Sequence, residues 1–245
     1  MKAMVLAAGI GSRLRPLTDA KPKALIDING TPMLELVLKR LIAAGVDAVI
    51  INVFHLPDQI ANFLKARKNF GIHIEVSRET ELLDTGGGLK KASAFFDDGK
   101  PFFMHNADVF SGVNLGLLYH RHTESGALAT LSVRARKSGR LFLFDQEGLL
   151  RGWESTNEGR TDWARGPIEN AQRLAFDGIH VISPKIFPKL AESGVFSITK
   201  AYLRLAGAGE TIRAFRADDY FWRDIGGLGK LEEIRRHAKE HGLPS

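Results

Sequence analysis

Short strand-like segments alternate with amphipathic helical segments through the first half of the chain, and this alternation limits the possible folds more than any other feature. Apolar or alternating runs at residues 4–7, 48–53 and 72–76 are typical of strands. Helical patterns separate them. One opens at Thr31-Pro32, a good N-cap followed by a proline suited to the first helical position, and another opens at Pro57. Because strands joined by helices run parallel, the pattern predicts a parallel sheet covered on both faces.

The later part of the chain is less regular and includes a predicted hairpin. Residues 141–144 and 149–153 flank Asp145-Gln146-Glu147-Gly148, a sequence typical of a hairpin turn. The other predicted elements are helices at 88–96 and 115–122, strands at 101–104, 128–133, 176–182, 212–217 and 220–223, and a terminal helix carrying Leu228, Leu231 and Ile234. We therefore predict a single α/β domain over residues 1–245, with a Rossmann-like, mostly parallel sheet flanked by helices and hairpin insertions over the crevice.

Composition and charge exclude several classes of protein. With 44% hydrophobic and 25% charged residues the chain has the composition of a globular protein, and no window approaches the 18 apolar residues of a transmembrane helix. It has no cysteine, which excludes disulfides, thiol nucleophiles and thiolate metal sites. The apolar N-terminal run stops at Gly9, too early for a signal peptide, so we expect a cytoplasmic protein. The net charge of +6 allows phosphorylated small molecules as partners. Since no dense basic block carries interleaved aromatics, we expect neither nucleic acid nor a membrane as a partner.

A glycine-rich segment, Ala8-Gly9-Ile10-Gly11-Ser12-Arg13-Leu14, follows the first predicted strand. Glycines in this position let backbone N–H groups approach phosphates closely. Leu14 stands where a dinucleotide fingerprint needs its third glycine, and the lysine motif of a P-loop is absent. Residues 15–23 are too proline-rich for a helix and bring Lys21 and Lys23 into the same segment. The segment predicts an anion site, with a plain strand-to-loop turn as the alternative.

The stretch from Leu6 to Thr18, followed by Pro22-Lys23 and Pro32-Met33, resembles the signature of the sugar-1-phosphate nucleotidyltransferases. The resemblance extends over nearly the whole chain. It implies a GT-A-like nucleotidyltransferase fold, with residues 1–110 mainly on the nucleotide side and 111–245 mainly on the sugar-phosphate side. It also implies the reaction of an NTP with a sugar 1-phosphate to give an NDP-sugar and pyrophosphate, with Mg²⁺ as cofactor. In this family the catalytic phosphate contacts match Arg13 and Lys23, and the nucleotide-binding loop matches Leu6, Ala7, Ala8, Gly9, Gly11 and Ser12.

A second glycine run, Thr85-Gly86-Gly87-Gly88, lies between a predicted strand and a predicted helix. Three glycines would let a flat base lie against bare backbone, and Glu79 or Glu81 could accept a base N–H. A flexible helix N-terminus capped by Thr85 is the alternative. By resemblance the segment is the base-selecting loop, which assigns Glu79, Thr85 and Gly86 to nucleotide binding.

The Thr-Gly-Gly-Gly form of this loop and the short chain are most similar to N-acetylmuramate-1-phosphate uridylyltransferases. That resemblance implies UTP as the nucleotide and a role in cell-wall (peptidoglycan) recycling. Related guanylyltransferases for mannose or heptose 1-phosphate have similar loops and are the alternative.

Two aspartates, Asp108 and Asp224, follow apolar strand-like segments that are more than a hundred residues apart. Ligands of parallel-sheet enzymes bind beyond the carboxyl ends of strands, and two carboxylates there suit Mg²⁺. An aspartate that caps a turn is the alternative at each position. Both match the metal-binding aspartates of the family. Asn106 matches a residue near the nucleotide sugar, with Ala107 where the family often has glycine.

The sugar-phosphate side is defined only by resemblance, which assigns it Glu154, Glu169, Asp177 and Gly178. Related enzymes often carry Glu-Lys-Pro near the first of these residues, whereas this chain has Ser155-Thr156. The lysine that binds the sugar phosphate is therefore not identified. A plain core strand is the alternative for the segment that contains Asp177 and Gly178.

The remaining candidates are weaker, and two rival classes of function stay open. His120 and His122 stand at i and i+2 of a predicted helix and point apart, so we expect surface residues rather than a metal pair. A glycosyltransferase would use an Asp-x-Asp metal motif, which Asn106-Ala107-Asp108 matches only partly. A non-catalytic nucleotide-sugar-binding regulator would not need Arg13, Lys23 and both aspartates. The sequence gives no indication of an oligomeric state.

Overall fold

A computed structural model describes residues 1–243 of the chain, which form fourteen strands and six α-helices. The strands are β1 (Lys2–Leu6), β2 (Asp27–Ile28), β3 (Thr31–Pro32), β4 (Ala48–Val53), β5 (His73–Arg78), β6 (Phe102–Asn106), β7 (Val109–Ser111), β8 (Ala129–Arg134), β9 (Arg140–Phe144), β10 (Leu150–Ser155), β11 (Arg160–Trp163), β12 (Gln172–Ile182), β13 (Ile212–Arg216) and β14 (Trp222–Asp224). The helices are α1 (Met33–Ala43), α2 (Pro57–Ala66), α3 (Asp84–Lys91), α4 (Leu115–Ser125), α5 (Ile198–Gly207) and α6 (Leu228–His241).

The chain divides into two compact units, each assembled from separate segments. The first unit contains residues 1–82, 104–115 and the chain from Tyr220 onwards, and the second contains residues 83–103 and 116–219. The predicted roles of residues 1–110 and 111–245 stay predictions.

The first unit is built on a parallel sheet. β1 pairs in parallel with β4, and β4 with β5, so the three predicted strands lie side by side. The apolar stripe of α1, which includes Leu34, Leu38 and Leu41, is fully buried, as its helical spacing predicts. The predicted cap at Thr31 is wrong, because residues 31–32 pair with β2 as a short ribbon and α1 begins without a side-chain cap.

A small antiparallel ribbon completes the first unit. β14 pairs with β7, in a register that places Trp222 opposite Ser111 and Asp224 opposite Val109. The helix α6 follows this ribbon, and Arg235 on it donates to the carbonyl of Asp27. The strand near residue 220 is therefore present as predicted, but it belongs to this ribbon rather than to the parallel sheet.

The second unit contains mostly antiparallel strands. β12, eleven residues long, pairs antiparallel with both β8 and β9, and β9, β10 and β11 form a meander. The predicted hairpin turn is confirmed, since Gly148 N–H donates to the carbonyl of Asp145 at 3.1 Å and has a left-handed φ of 75°. Stacked rings of Phe96, Phe102 and Phe187 fill part of its core.

The predicted fold class is confirmed: the protein is α/β, with a parallel sheet flanked by helices and additional hairpin strands. No helix within residues 1–243 is long and apolar enough to cross a bilayer.

Candidate active site

The glycine-rich segment after β1 forms an ordered loop in the first unit. Gly11 has a φ of 73°, and a Cβ there would lie 2.9 Å from Thr18 Cγ2, so the position requires glycine. The Thr18 hydroxyl donates to the Gly11 carbonyl at 2.9 Å. At Gly9, by contrast, a Cβ would meet nothing within 4 Å. The backbone at Gly9 therefore faces open space, as an anion-binding loop requires.

Side chains from outside the loop hold it in place. His55 Nε2 lies 2.8 Å from the Thr18 carbonyl, and Gln59 Nε2 donates to the Ala20 carbonyl at 2.9 Å. Both residues belong to the segment around the start of α2, so this segment holds the loop at Thr18 and Ala20. The prediction of a long loop without an α-helix is correct, with short 3₁₀ turns at Ser12–Leu14 and Lys23–Leu25.

Asn52, at the end of β4, connects the loop to Glu79. Its side-chain oxygen accepts from Ala7 N–H at 2.9 Å, and its amide nitrogen donates to Glu79 Oε1 at 2.7 Å. Glu79 is buried, with 7% of its surface exposed. One carboxylate oxygen of Glu79 thus supports the loop from beneath, and its predicted contact with a base stays a prediction.

The structure brings the two predicted metal ligands to neighbouring positions. Asp108 lies in the turn between β6 and β7, and Asp224 is the last residue of β14, opposite Val109. The Ile225 N–H donates to the Asp108 carbonyl at 2.9 Å, which joins the two backbones directly. Residues more than a hundred positions apart thus share one end of the antiparallel ribbon. The expected setting is wrong for Asp224, because its strand belongs to this ribbon and not to the parallel sheet.

Basic side chains surround both aspartates. Lys23 Nζ donates to Asp108 Oδ2, and Lys230 Nζ donates to both oxygens of Asp224, at 2.9 and 2.8 Å. A Cβ built on Gly226 would lie 2.3 Å from Asp224 Oδ1 and 3.5 Å from Arg13 Nη2. Arg13, Lys23 and the two aspartates therefore meet within the first unit, together with Lys230, a residue outside the family motifs quoted above.

The donor set fits a hard divalent cation that is shared with phosphate ligands. No group of three or more His, Asp or Glu side chains within residues 1–243 could hold a metal alone. Two carboxylates, each already contacted by an ammonium group, match the way Mg²⁺ takes one or two protein carboxylates and completes its shell with waters and phosphates. Asn106, which ends β6, belongs to the same unit.

The second glycine run lies in the first turn of α3, in the second unit, rather than in a loop before a helix. The N–H groups of Gly86 and Gly87 both donate to the Phe196 carbonyl, at 2.9 and 3.2 Å, and Thr85 Oγ1 accepts from Ile198 N–H at 3.0 Å. A Cβ on Gly86 would lie 2.3 Å from the Phe196 ring. Close packing against the segment around Phe196 accounts for these glycines. The prediction that Thr85 and Gly86 bind a base stays a prediction.

The predicted sugar-side residues all lie in the second unit, where one of them, Asp177, is buried and hydrogen-bonded to other side chains. Asp177 is 1% exposed and accepts from Arg134 Nε and Nη2 at 2.8 and 3.0 Å and from Ser132 Oγ at 2.9 Å. Burial raises the pKa of Asp177, against the lowering effect of Arg134. Gly178 has a φ of 76° where the register of β12 against β8 shifts.

The other two sugar-side candidates are more accessible. Glu154 is in an ion pair with Arg173 at 2.9 Å, with 21% of the glutamate side chain exposed, and Glu169 is exposed in the connection before β12. Sugar binding by these four residues stays a prediction.

The expectation of two surface histidines is half correct. His120 is exposed, whereas His122 is 2% exposed, with Nδ1 2.9 Å from Thr130 Oγ1, and burial lowers its pKa to about 4. His122 lies four residues after the fully buried Leu118 and therefore on the inner face of α4. The expectation that the two rings do not form a metal pair is unaffected.

Comparison with known proteins identifies the class. Residues 2–142, more than half of the chain, match the family described as nucleotidyl transferase. This protein belongs to the nucleotidyl transferase family, and the resemblance to sugar-1-phosphate nucleotidyltransferases is confirmed.

The individual proteins that are similar to this chain have names that specify different nucleotides and different sugars. N-acetylmuramate alpha-1-phosphate uridylyltransferase of Caulobacter vibrioides is 31% identical over 238 residues, which cover 91% of each chain. Mannose-1-phosphate guanylyltransferase 1 of Arabidopsis thaliana is 33% identical over 230 residues, which cover 92% of this chain and 61% of that protein. A Bacillus anthracis structure described as a glucose-1-phosphate thymidylyltransferase shares the fold, with a TM-score of 0.82, 18% identity and coverage of 100% of this chain and 98% of that one.

Proposed function

We propose that this enzyme transfers a uridylyl group from UTP to N-acetylmuramate 1-phosphate and releases pyrophosphate. Membership of the family supports the general activity, which is nucleotidyl transfer to a sugar 1-phosphate. The observation that carries the proposal is the meeting of Arg13, Lys23, Asp108 and Asp224 in one unit. The choice of UTP and of the sugar rests on the similarity to the uridylyltransferase over 91% of both chains.

The proposed reaction needs charge and position rather than a nucleophilic side chain. A phosphate oxygen of the sugar 1-phosphate attacks the α-phosphorus of UTP in line, and the bond from that phosphorus to the bridging oxygen breaks as pyrophosphate leaves. The attacking oxygen is already an anion, so no general base is required. Arg13 offsets the charge on the departing pyrophosphate, and Lys23 offsets the charge of the attacking phosphate.

Asp108 and Asp224 are the residues that would hold Mg²⁺. The ion would supply neutralisation of the phosphate oxygens. Lys23 must exchange its contact with Asp108 for a contact with phosphate when the substrates enter, and the backbone around Gly9 offers its N–H groups to the triphosphate.

The remaining substrate contacts are proposed by matching to the family pattern. Glu79, Thr85 and Gly86 would select the base, and Asn106 would lie near the ribose. Glu154, Glu169, Asp177 and Gly178 would face the sugar phosphate. Because N-acetylmuramate is a cell-wall sugar, we place the enzyme in peptidoglycan recycling in the cytoplasm.

A guanylyltransferase for mannose 1-phosphate is the second candidate, favoured by the 33% identity to the Arabidopsis enzyme. The test of both is a matrix of ATP, GTP, CTP, UTP and dTTP against a panel of sugar 1-phosphates, with pyrophosphate release as the readout. We expect release with UTP and N-acetylmuramate 1-phosphate, and release that is about 100- to 1000-fold slower from Asp108→Asn in the same wells. Preference for GTP with mannose 1-phosphate selects the second candidate. Absence of pyrophosphate in every well would contradict nucleotidyl transfer itself.

A further inference from the structure

Lys230 contacts the predicted metal ligand Asp224 in a way that the proposed reaction leaves unexplained. Its ammonium group lies 2.9 and 2.8 Å from the two carboxylate oxygens, so it spans the edge at which a cation would bind. The side chains of Lys230 and Asp224 are 45% and 23% exposed. An ion pair with this exposure is weak and easily exchanged, because water solvates both partners when they separate.

The position of Lys230 favours contact with anions. It is the third residue of α6, whose first turn contains no acidic residue, so the helix dipole adds to its positive potential. The preceding Gly227 and Gly229 would place a Cβ within 4 Å of no other atom, and the backbone around Lys230 is therefore uncovered. Arg13 approaches the same turn, at Gly226.

Charge balance shows what Lys230 would do when substrates bind. The two aspartates are each contacted by a lysine, Lys23 for Asp108 and Lys230 for Asp224. A divalent cation on the two carboxylates repels both ammonium groups, while the phosphates of the two substrates attract them. Lys230 is long and flexible, so it can leave Asp224 for a phosphate oxygen without any movement of α6.

We propose that Lys230 is a phosphate-binding residue, which neutralises Asp224 in the absence of metal and contacts a substrate phosphate once a divalent cation has taken its place. This inference rests on the proposed function. It predicts effects of opposite sign when the ammonium is removed: tighter binding of a divalent cation alone, and weaker binding of a phosphorylated substrate.

The test compares the full-length protein with Lys230→Met, with Lys230→Arg and with Lys239→Met, a charge-matched control in the last turn of the same helix. Mn²⁺ binding without nucleotide is followed by electron paramagnetic resonance or calorimetry. We expect Lys230→Met to bind Mn²⁺ about 2- to 5-fold more tightly than the wild type, because a weak competing cation is lost. The control should equal the wild type.

Steady-state kinetics of pyrophosphate release supply the second readout. Lys230→Met should raise the KM for one substrate by about 10-fold or more. Lys230→Arg, which keeps the positive charge, should have a KM close to that of the wild type. An increase confined to the NTP places Lys230 on the triphosphate, and an increase confined to the sugar 1-phosphate places it on the attacking phosphate. A merely structural role predicts unchanged Mn²⁺ affinity and a lowered unfolding temperature.

Unchanged Mn²⁺ affinity or unchanged KM values in Lys230→Met would overturn the inference. If the wild type binds Mn²⁺ and releases pyrophosphate, and if Asp224→Asn no longer binds Mn²⁺, the proposed function stands whatever Lys230 does. Equal Mn²⁺ binding by wild type and Asp224→Asn would overturn both the metal site and the inference.

Discussion

Asp224 in the first unit and Asp177 in the second each accept hydrogen bonds from a basic side chain, but the two carboxylates are held in different ways. Asp224 is 23% exposed and is contacted by a flexible lysine. Asp177 has no exposed side-chain surface and is held by two nitrogens of Arg134 and by the Ser132 hydroxyl. Asp224 can lose its contact with Lys230 at little cost, because water solvates both groups. Separation of Asp177 from Arg134 would leave a buried charge without a partner.

The two glycine segments differ in the same sense. The backbone at Gly9 faces open space, whereas the N–H groups of Gly86 and Gly87 are taken by the carbonyl of Phe196. Glycine thus leaves the backbone open at Gly9 in the first unit, and it lets another chain segment approach the backbone closely in the second. Residue type alone does not distinguish a binding group from a packing group; the number of partners and the exposure do.

The largest effect is expected from a substitution that breaks the buried ion pair. Asp177→Asn should lower the free energy of unfolding by about 3–5 kcal/mol, because it leaves Arg134 buried without its counter-charge. Urea denaturation followed by circular dichroism measures this. Replacing both partners, as Arg134→Met with Asp177→Leu, should recover much of the loss. Unfolding that is unchanged in Asp177→Asn would contradict this role in stability, and a raised KM for the sugar 1-phosphate would support the proposed contact with the sugar.

The matched control for this change is an ion pair on the surface of the same unit. Arg160 and Asp162 lie 2.6 Å apart on β11, and both are solvated. Asp162→Asn should leave the urea midpoint unchanged, because exposed pairs contribute little.

Substitutions at Asp108 and Asp224 should change the activity of the protein rather than its stability. Asp108→Asn and Asp224→Asn should each lower the rate of pyrophosphate release by about 100- to 1000-fold, since each removes a carboxylate proposed to hold the cation. The urea midpoints should stay close to that of the wild type. If the two carboxylates act on one ion, the double variant should be little slower than the slower single variant.

A Mg²⁺ titration of the three variants checks the shared ion. Both single variants should require far more Mg²⁺ for half-maximal rate. Rate losses that multiply fully in the double variant would mean that the two aspartates act independently.

The smallest expected effect concerns the glycines. Gly87→Ala should destabilise the protein by about 1–3 kcal/mol, because its Cβ would lie 2.4 Å from the Gly194 carbonyl oxygen. Gly9→Ala should leave the unfolding temperature unchanged and raise the KM for the NTP, because the new methyl group faces open space where phosphate is expected. Thermal unfolding and NTP titrations measure the two effects. A loss of stability in Gly9→Ala with no change in KM would remove the distinction between the two segments.

Much of the fold could be predicted because local patterns encode it. The strand at 48–53 and the helix that begins at Pro57 lie where hydrophobic periodicity and proline placed them, and the hairpin turn at 145–148 formed as its residues dictate. The glycine loop followed by Lys23, together with the two aspartates, likewise identified a family whose membership the comparisons show.

Contacts between distant residues could not be predicted in this way, and they decided the details of the site. The pairing of β14 with β7 joins residues more than a hundred positions apart. Together with the bond from Ile225 N–H to the Asp108 carbonyl, it places Asp224 beside Asp108 and brings Lys230 to the site. The carbonyl of Phe196, likewise distant in sequence, accepts hydrogen bonds from the N–H groups of Gly86 and Gly87. Periodicity and turn chemistry act over a few residues along the chain, so they determined which elements form. Which polar groups found a protein partner, and which remained open to a ligand, depended on the path of the folded chain.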